Sequence, residues 1–318
     1  MILRTLGIRL GQSAAVLLVM SFAIYGLIGL MPGDPVDLMI GANPRITPED
    51  VERLRRVYGL DQPLLGRYLA WLGDAMSGEF GYSRLSALPV GETLLPPLGR
   101  TLILLSASLA LALTIALPLG VLAALRPRSR LDYAVNLLAF AGISMPVFWL
   151  GLMLVALFAV GLGWLPAGGV RDIGDEGLVD RLRHLVLPVV TLAAAGVGQH
   201  TRYMRSAMIE VLRQDFIRTA AAKGASRLRI VVHHALRNAM IPVVTVLALE
   251  FGSLFSGALI TETVFAYPGM GKLIYDAVMG NDYNLALAAL LLATAVTLLG
   301  NALADAAYLW LDPRIRRR

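Results

Sequence analysis

Six long runs of the chain are nearly free of charge, and each is long enough to cross a lipid bilayer as a helix. They fall at about residues 9–31, 101–125, 134–161, 184–204, 239–262 and 284–310. A helix rises ~1.5 Å per residue, so about 20 apolar residues cover the roughly 30 Å hydrocarbon layer. In lipid every backbone N–H and C=O must find a partner within the protein, which leaves helices or closed barrels. None of the runs alternates apolar and polar residues with period two. The expectation is therefore an all-α integral membrane bundle of six spans. Composition agrees, with 57% hydrophobic and only 16% charged residues, against about 25% charged in average soluble domains. The first run is too long for the apolar core of a signal peptide and has no small-residue cleavage site, so it reads as a retained span.

The formal net charge of +6 has a place in this scheme. In short loops, Lys and Arg mark the cytoplasmic side. One side would carry Arg4, Arg9, Arg126, Arg128, Arg130, the loop 202–237 and the four arginines from Arg314 to Arg318, seventeen basic residues together. The other side, in loops 162–183 and 263–283, carries only four: Arg171, Arg181, Arg183 and Lys272. The asymmetry puts both termini in the cytoplasm. Segments beyond about 60 residues escape the rule, so 32–100 is exempt. The expected organisation is a first span over 1–31, a small external helical domain over 32–100, a core over 101–311 and a cytoplasmic tail over 312–318. The chain has no cysteine, which excludes disulfides, thiolate metal sites and cysteine nucleophiles.

In the external segment, Thr47-Pro48-Glu49-Asp50 is a helix start, with an N-cap hydroxyl, proline at the first position and acids in the first turn. A second helix is expected over Pro63 to Met76, with Leu64, Tyr68, Leu69 and Leu72 on one face. Pro118, Pro146, Pro188 and Pro242 lie inside spans, where each removes a hydrogen bond and can kink the helix. Gly252 with Ser256, and Ser253 with Gly257, are small-residue pairs that let helices approach closely, within the chain or against a second subunit.

The longest cytoplasmic loop, 202–237, is the most informative segment. Met204, Met208, Val211 and Leu212 recur at helical spacing, so the fourth span is expected to continue out of the membrane. Phe216 to Lys223 is rich in helix formers, and Gly224 is placed to end that helix. Ser226 can cap a further helix, in which Leu228, Val231, Val232, Ala235 and Leu236 form an apolar face. A slim alanine helix ended by a tight glycine turn suits a groove on another protein, with arginines for steering. A basic loop that only sets topology or touches anionic lipid is the alternative on residue chemistry.

The loop resembles the signature of the membrane subunits of ABC importers: an alanine-containing turn, a glycine four residues later and a hydrophobic stretch beyond. Here these are Thr219-Ala220, Gly224 and Leu236. The signature's usual leading glutamate falls at Arg218 and its later proline at Arg237, departures usual in the peptide/nickel branch. Other fragments resemble that branch in order and spacing: Met31-Pro-Gly-Asp-Pro35, Tyr58 to Leu64, Gly78 to Ser83, Glu262 to Gly271, Asn281-Asp-Tyr283 and Leu311 to Arg316. The chain is similar to the first permease subunit of dipeptide, oligopeptide, nickel and glutathione importers. The resemblance implies the type I ABC importer permease fold in the bacterial cytoplasmic (inner) membrane. It implies a second homologous permease subunit as heterodimer partner, two cytoplasmic ABC ATPase subunits and an external solute-binding protein. It also implies that Asp215, Arg218, Thr219, Ala220, Ala221, Lys223, Gly224, Ala225 and Ser226 couple the chain to those ATPases.

The chain has no Gly-x-x-x-x-Gly-Lys-Ser/Thr phosphate loop; its Gly271-Lys272 continues with Leu273. No enzymatic activity and no bound cofactor are expected of it; ATP and Mg would be used by the partner ATPases. A nucleic-acid partner is not expected either. Metal-ligand spacing is absent, and His184, His200, His233 and His234 do not gather by sequence, which argues against a membrane enzyme. Polar groups within spans are costly and often functional. Gln199, Glu250, Ser253 and Glu262 are candidates for the translocation path, Glu250 being also readable as a protonated or hydrogen-bonded carboxyl between helices. A stand-alone secondary transporter or channel would need ion-coupling groups and favours inverted repeats; no clear repeat exists.

Overall fold

The computed structural model describes residues 2–30, 47–57 and 61–311. Among them the chain is helical, with one isolated extended bridge between Tyr82 and Pro89. The helices are α1 (Ile2–Gly29), α2 (Pro48–Val57), α3 (Leu64–Met76), α4 (Val90–Leu125), α5 (Arg130–Ser144) and α6 (Val147–Leu154). They continue as α7 (Leu178–Leu212), α8 (Asp215–Ala222), α9 (Arg227–Arg229), α10 (Arg237–Val264), α11 (Met270–Met279) and α12 (Tyr283–Leu311). Two π-helical segments are present: Val155–Gly161 extends α6, and Ile230–Leu236 joins α9 to α10.

The six expected spans correspond to α1, α4, the α5–α6 pair, α7, α10 and α12. Stretches long and apolar enough to cross a membrane occupy Gly11–Gly29, Val90–Leu125 and Tyr283–Ala302, and the α5–α6 pair qualifies as one broken span. The 35-residue α7 is long enough but more polar, since Gln199, His200, Thr201 and Arg202 follow one another within it. The third span departs from expectation. Instead of one run over 134–161, α5 begins at Arg130, capped by Ser129, and stops at Ser144. The chain then bends by 100° into α6 and its π extension. Pro146 is the cause. The residue before a proline is sterically pushed out of the α region, and Met145 is extended, at φ −80° and ψ 127°. Pro118, Pro188 and Pro242 stay inside continuous helices.

The chain divides into two compact units. One comprises residues 1–99 and 272–298, the other residues 100–271 and 299–318. In the first unit the Thr47 cap forms as expected: its hydroxyl accepts from Asp50 N, and the Asp50 carboxylate accepts from Thr47 N. Helix α3 covers the expected residues, but its buried face is narrower. Tyr68 is 3% exposed, while Leu69 stays 56% exposed. The tyrosine hydroxyl lies 2.7 Å from Ser21 Oγ, and its ring meets Phe22, Tyr25 and Trp71. One hydrogen-bonded aromatic cluster, not a leucine stripe, therefore seats α3 on α1. Asp282 ties together the segment after α3 and the start of α12. It accepts from Ser83 Oγ at 2.6 Å and from Leu85 N at 3.0 Å, and it caps α12 through Leu285 N at 3.2 Å.

In the second unit α7 is the central strut, packing against α5, α6 and α10. One core gathers Leu104, Leu187, Phe265 and Tyr267 near the start of α7. The other gathers Met204, Met208, Ile217, Ala235, Ala239 and Val243 near its end. Large apolar side chains such as Leu137, Leu138 and Val160 point outward, 69–77% exposed, as lipid or subunit-facing surfaces do.

Candidate functional site

The loop expected to dock a partner folds as a helix, a glycine turn and a second helical leg. Helix α8 spans Asp215–Ala222 with Gln214 at its N-cap. It ends in two hydrogen bonds, Gly224 N to Ala221 O at 2.9 Å and Ala225 N to Ala220 O at 3.1 Å. That pair is the Schellman pattern, which needs a left-handed residue just past the helix. Gly224 supplies it with φ +82°. Ser226 Oγ then accepts from Arg229 N and starts the next leg. The Thr219 hydroxyl donates back to Asp215 O at 3.0 Å, and Arg218 pairs with Asp215 at 3.3 Å.

Exposure divides α8 into two faces. Ile217 is 7% exposed and belongs to the core of Met204, Met208, Ala235 and Val243. Ala220 is half-buried beside it, whereas Asp215, Arg218, Thr219, Ala221, Lys223 and Gly224 are exposed. Ala225 is half-buried and Ser226 exposed. Phe216 is also exposed, at 44%. It was not among the expected site residues, although an aromatic two positions into a short surface helix is a visible signal. The helix thus offers a flat face of small and charged groups plus one aromatic edge, held rigid from below.

The leg after α8 differs from expectation. Leu228 and Val232 were placed on its apolar face but are 75% and 52% exposed. The segment Ile230–Leu236 is π-helical, so its turns are wider than 3.6 residues and the i, i+4 stripe no longer lines up. Ala235 takes the fully buried place.

A second set of residues, absent from the expected site, fixes the leg before α8. Arg205 on α7 donates from Nε and Nη2 to the two oxygens of Asp132, at 2.5 and 2.8 Å. Asp132 also accepts from Arg128 N at 2.8 Å and Asn136 Nδ2 at 2.8 Å. It is 3% exposed. Its carboxyl oxygens are thus satisfied by hydrogen bonds from Arg205, Arg128 N and Asn136 despite its burial. Seventy-three residues separate the pair, so no local pattern could have joined them.

Of the path candidates, Gln199 and Glu262 have described side chains. Gln199 is half-buried on α7. The Glu250 and Ser253 side chains lie outside the described residues, as do the small pairs of α10. Glu262 is fully buried and hydrogen-bonded by the Thr101 hydroxyl, which in turn accepts from Met270 N at 2.8 Å. The structure places it inside the chain, clamping the end of α10 to α4. It also brings together a group that spacing did not suggest. Asp172, Asp180 and His184 offer ligand-type atoms within 4.8 Å of one another. Asp180 accepts from Asp172 N at 2.8 Å, and His184 Nδ1 lies 3.0 Å from Asp180 O, so these residues close a clip over the loop before α7.

Residues 116–317 match the family model described as binding-protein-dependent transport system inner membrane component. Residues 2–103 match the model of the N-terminal part of such components. The chain is 40% identical to the oligopeptide transport system permease protein AppB of Bacillus subtilis, over 96% of both chains. It is 40% identical to the di/tripeptide transport system permease protein DppB of Pseudomonas aeruginosa and 37% identical to the dipeptide permease DppB of Escherichia coli K12, in each case over 98% of both chains. Among solved structures, the inward-facing MetNI methionine ABC transporter is similar in fold, with a TM-score of 0.57 and 20% identity over 69% of this chain and 96% of that one.

Proposed function

From the premise that the chain belongs to the family of binding-protein-dependent transport system inner membrane components, we propose that it is the transmembrane pathway subunit of an ATP-driven importer of di- and oligopeptides. The names of the relatives support the peptide cargo. A second permease subunit of similar fold completes the path, an external solute-binding protein delivers cargo, and two cytoplasmic ATPases drive the cycle. The chain itself holds no nucleotide. Both termini and α8 lie in the cytoplasm, in keeping with the excess of arginine on that side.

The observation that carries the coupling role is α8 itself: an exposed eight-residue helix whose one buried side chain, Ile217, sits in the core shared by α7 and α10. Force applied to its outer face passes to both long helices through close-packed side chains, which deform little. Residues 215–226 are the contact surface for the ATPase. Gly224→Asp tests this. An aspartate at φ +82° is strained and puts a negative charge on the exposed turn that ends α8. The expected result is a chain inserted in the membrane at normal level, with ATPase co-purification and peptide uptake both lost. Normal uptake by that variant would overturn the coupling role.

A further inference from the structure

At the other end of α7 the surface is concave. A cavity of about 470 Å³ is lined by Arg100 and Ile103 of α4, Val170 and Arg171 of the loop before α7, Arg181 and Leu185 of α7, and Tyr267 beyond α10. Arg181 and Leu212 are 31 residues apart on one helix, or about 45 Å at 1.5 Å per residue. The cavity is therefore far too distant from α8 to serve the same partner, and on the proposed orientation it opens outside the cell.

The cavity has a fixed floor. Tyr267 is 3% exposed and packs with Leu104, Leu187 and Phe265. Its hydroxyl donates to Arg100 O at 3.3 Å. Gly169 N donates to Phe265 O at 2.8 Å, which pins the loop immediately before Val170 and Arg171. Three guanidinium groups stand around this floor, each with five N–H donors. Arg100 uses Nη1 on Pro268 O at 3.1 Å, and Arg171 uses Nη1 on Glu176 at 3.0 Å. Arg181 has no side-chain hydrogen bond or ion pair among the described residues. Among the described residues the neighbouring acids are largely engaged elsewhere: Asp180 and Asp172 with each other's segment and with His184, Glu262 with the Thr101 hydroxyl beneath Tyr267, while Glu176 pairs with Arg171.

Guanidinium donors match the two oxygens of a carboxylate or phosphate, and apolar walls beside them suit a small ligand with a hydrophobic body. We propose that this cavity is an entry site for cargo that binds the free α-carboxylate of a peptide through Arg181 with Arg100 and Arg171, the peptide's side chain lying against Ile103, Leu185 and Tyr267. The site rests on the peptide-importer reading and adds to it a chemical requirement on the cargo, made by this chain and not by the binding protein.

The test uses the intact transporter, permeases with ATPases, purified without binding protein. Radiolabelled Ala-Phe and its C-terminal amide are the probes. The acid is expected to bind about tenfold more tightly than the amide, in line with loss of a charge-assisted pair. In Arg181→Gln that ratio falls towards one, while assembly with the ATPases, read by co-purification, stays at the wild-type level. Arg171→Gln gives a smaller fall, because Glu176 already shares its charge. Equal binding of acid and amide by the wild type overturns the site, as does an unchanged ratio in Arg181→Gln. A lipid phosphate would use the same donors. If Arg181→Gln weakens binding of phosphatidylglycerol nanodiscs and leaves the acid-to-amide ratio intact, the occupant is a lipid headgroup and the cargo assignment fails. Failure of the importer reading itself would look different: the wild-type chain would not co-purify with ATPases at all.

Discussion

At the scale of single residues, the polar groups buried in this chain hold helices together before they do anything else. Glu262 shows it best. A carboxylate with no exposure is costly unless hydrogen-bonded, and here the Thr101 hydroxyl donates to it while accepting from Met270 N. Gly269 completes the clamp, because a Cβ at that position would collide with the Glu262 carboxylate. Gly269→Ala is therefore expected to lower stability by about 1–3 kcal/mol through overpacking, read as a lower thermal midpoint of the purified protein. Gly269→Ala at the wild-type midpoint would show that the carboxylate can move aside. The glycine was legible as part of a family-like fragment. Its reason was not, since the carboxylate it must admit is seven residues upstream and its partner Thr101 lies on another helix.

At the scale of elements, the joint between α5 and α7 sets where α8 emerges. Asp132 receives two hydrogen bonds from Arg205 and two more from its own helix start. Removing one partner of such a pair leaves a buried charge uncompensated. Arg205 is 25% exposed, so water screens part of the effect, and Arg205→Ala is expected to cost about 2 kcal/mol. Arg205→Lys should not restore it, because an ammonium cannot reproduce the bidentate fork. The check is the thermal midpoint of the purified protein: Arg205→Ala at the wild-type midpoint would show that the pair adds nothing net. The amphipathic pattern around α8 was readable, as was its glycine stop. The π-helical leg was not: the β-branched and histidine residues of Ile230–Leu236 are weak helix formers, but wide turns arise from how a segment packs.

At the scale of the molecule, the chain presents apolar side chains outward and keeps much of its polar chemistry at helix ends. In the unit of residues 1–99 and 272–298, Asp282 joins the Ser83–Leu85 turn to the cap of α12, beside hydrogen bonds from Asn284 Nδ2 to Tyr82 O and from Arg84 to Gly280 O. Asp282 is 2% exposed. Asp282→Ala should cost about 2 kcal/mol by leaving Ser83 Oγ and two backbone N–H groups without acceptors. Faster limited proteolysis between Gly78 and Pro89 is the expected readout, with membrane insertion unchanged. Cleavage no faster than in wild type would assign the turn's order to other contacts.

From residues alone the solvent and the class are legible, together with the segment proposed for coupling. Those follow from composition and from patterns a few residues wide: charge-free runs that only helices can carry across lipid, an arginine bias between loops, and an alanine helix stopped by Gly224. Tertiary structure alone decided which side chains meet across tens to hundreds of residues. Arg205 found Asp132, Ser83 found Asp282, and Arg100, Arg171 and Arg181 came to line one cavity. It also turned one expected span into two arms at Pro146 and moved Leu228 and Val232 to the surface. The physical reason is the same in each case. Short-range preferences select helices and their ends, whereas burial, hydrogen bonding and charge are settled only when distant helices pack.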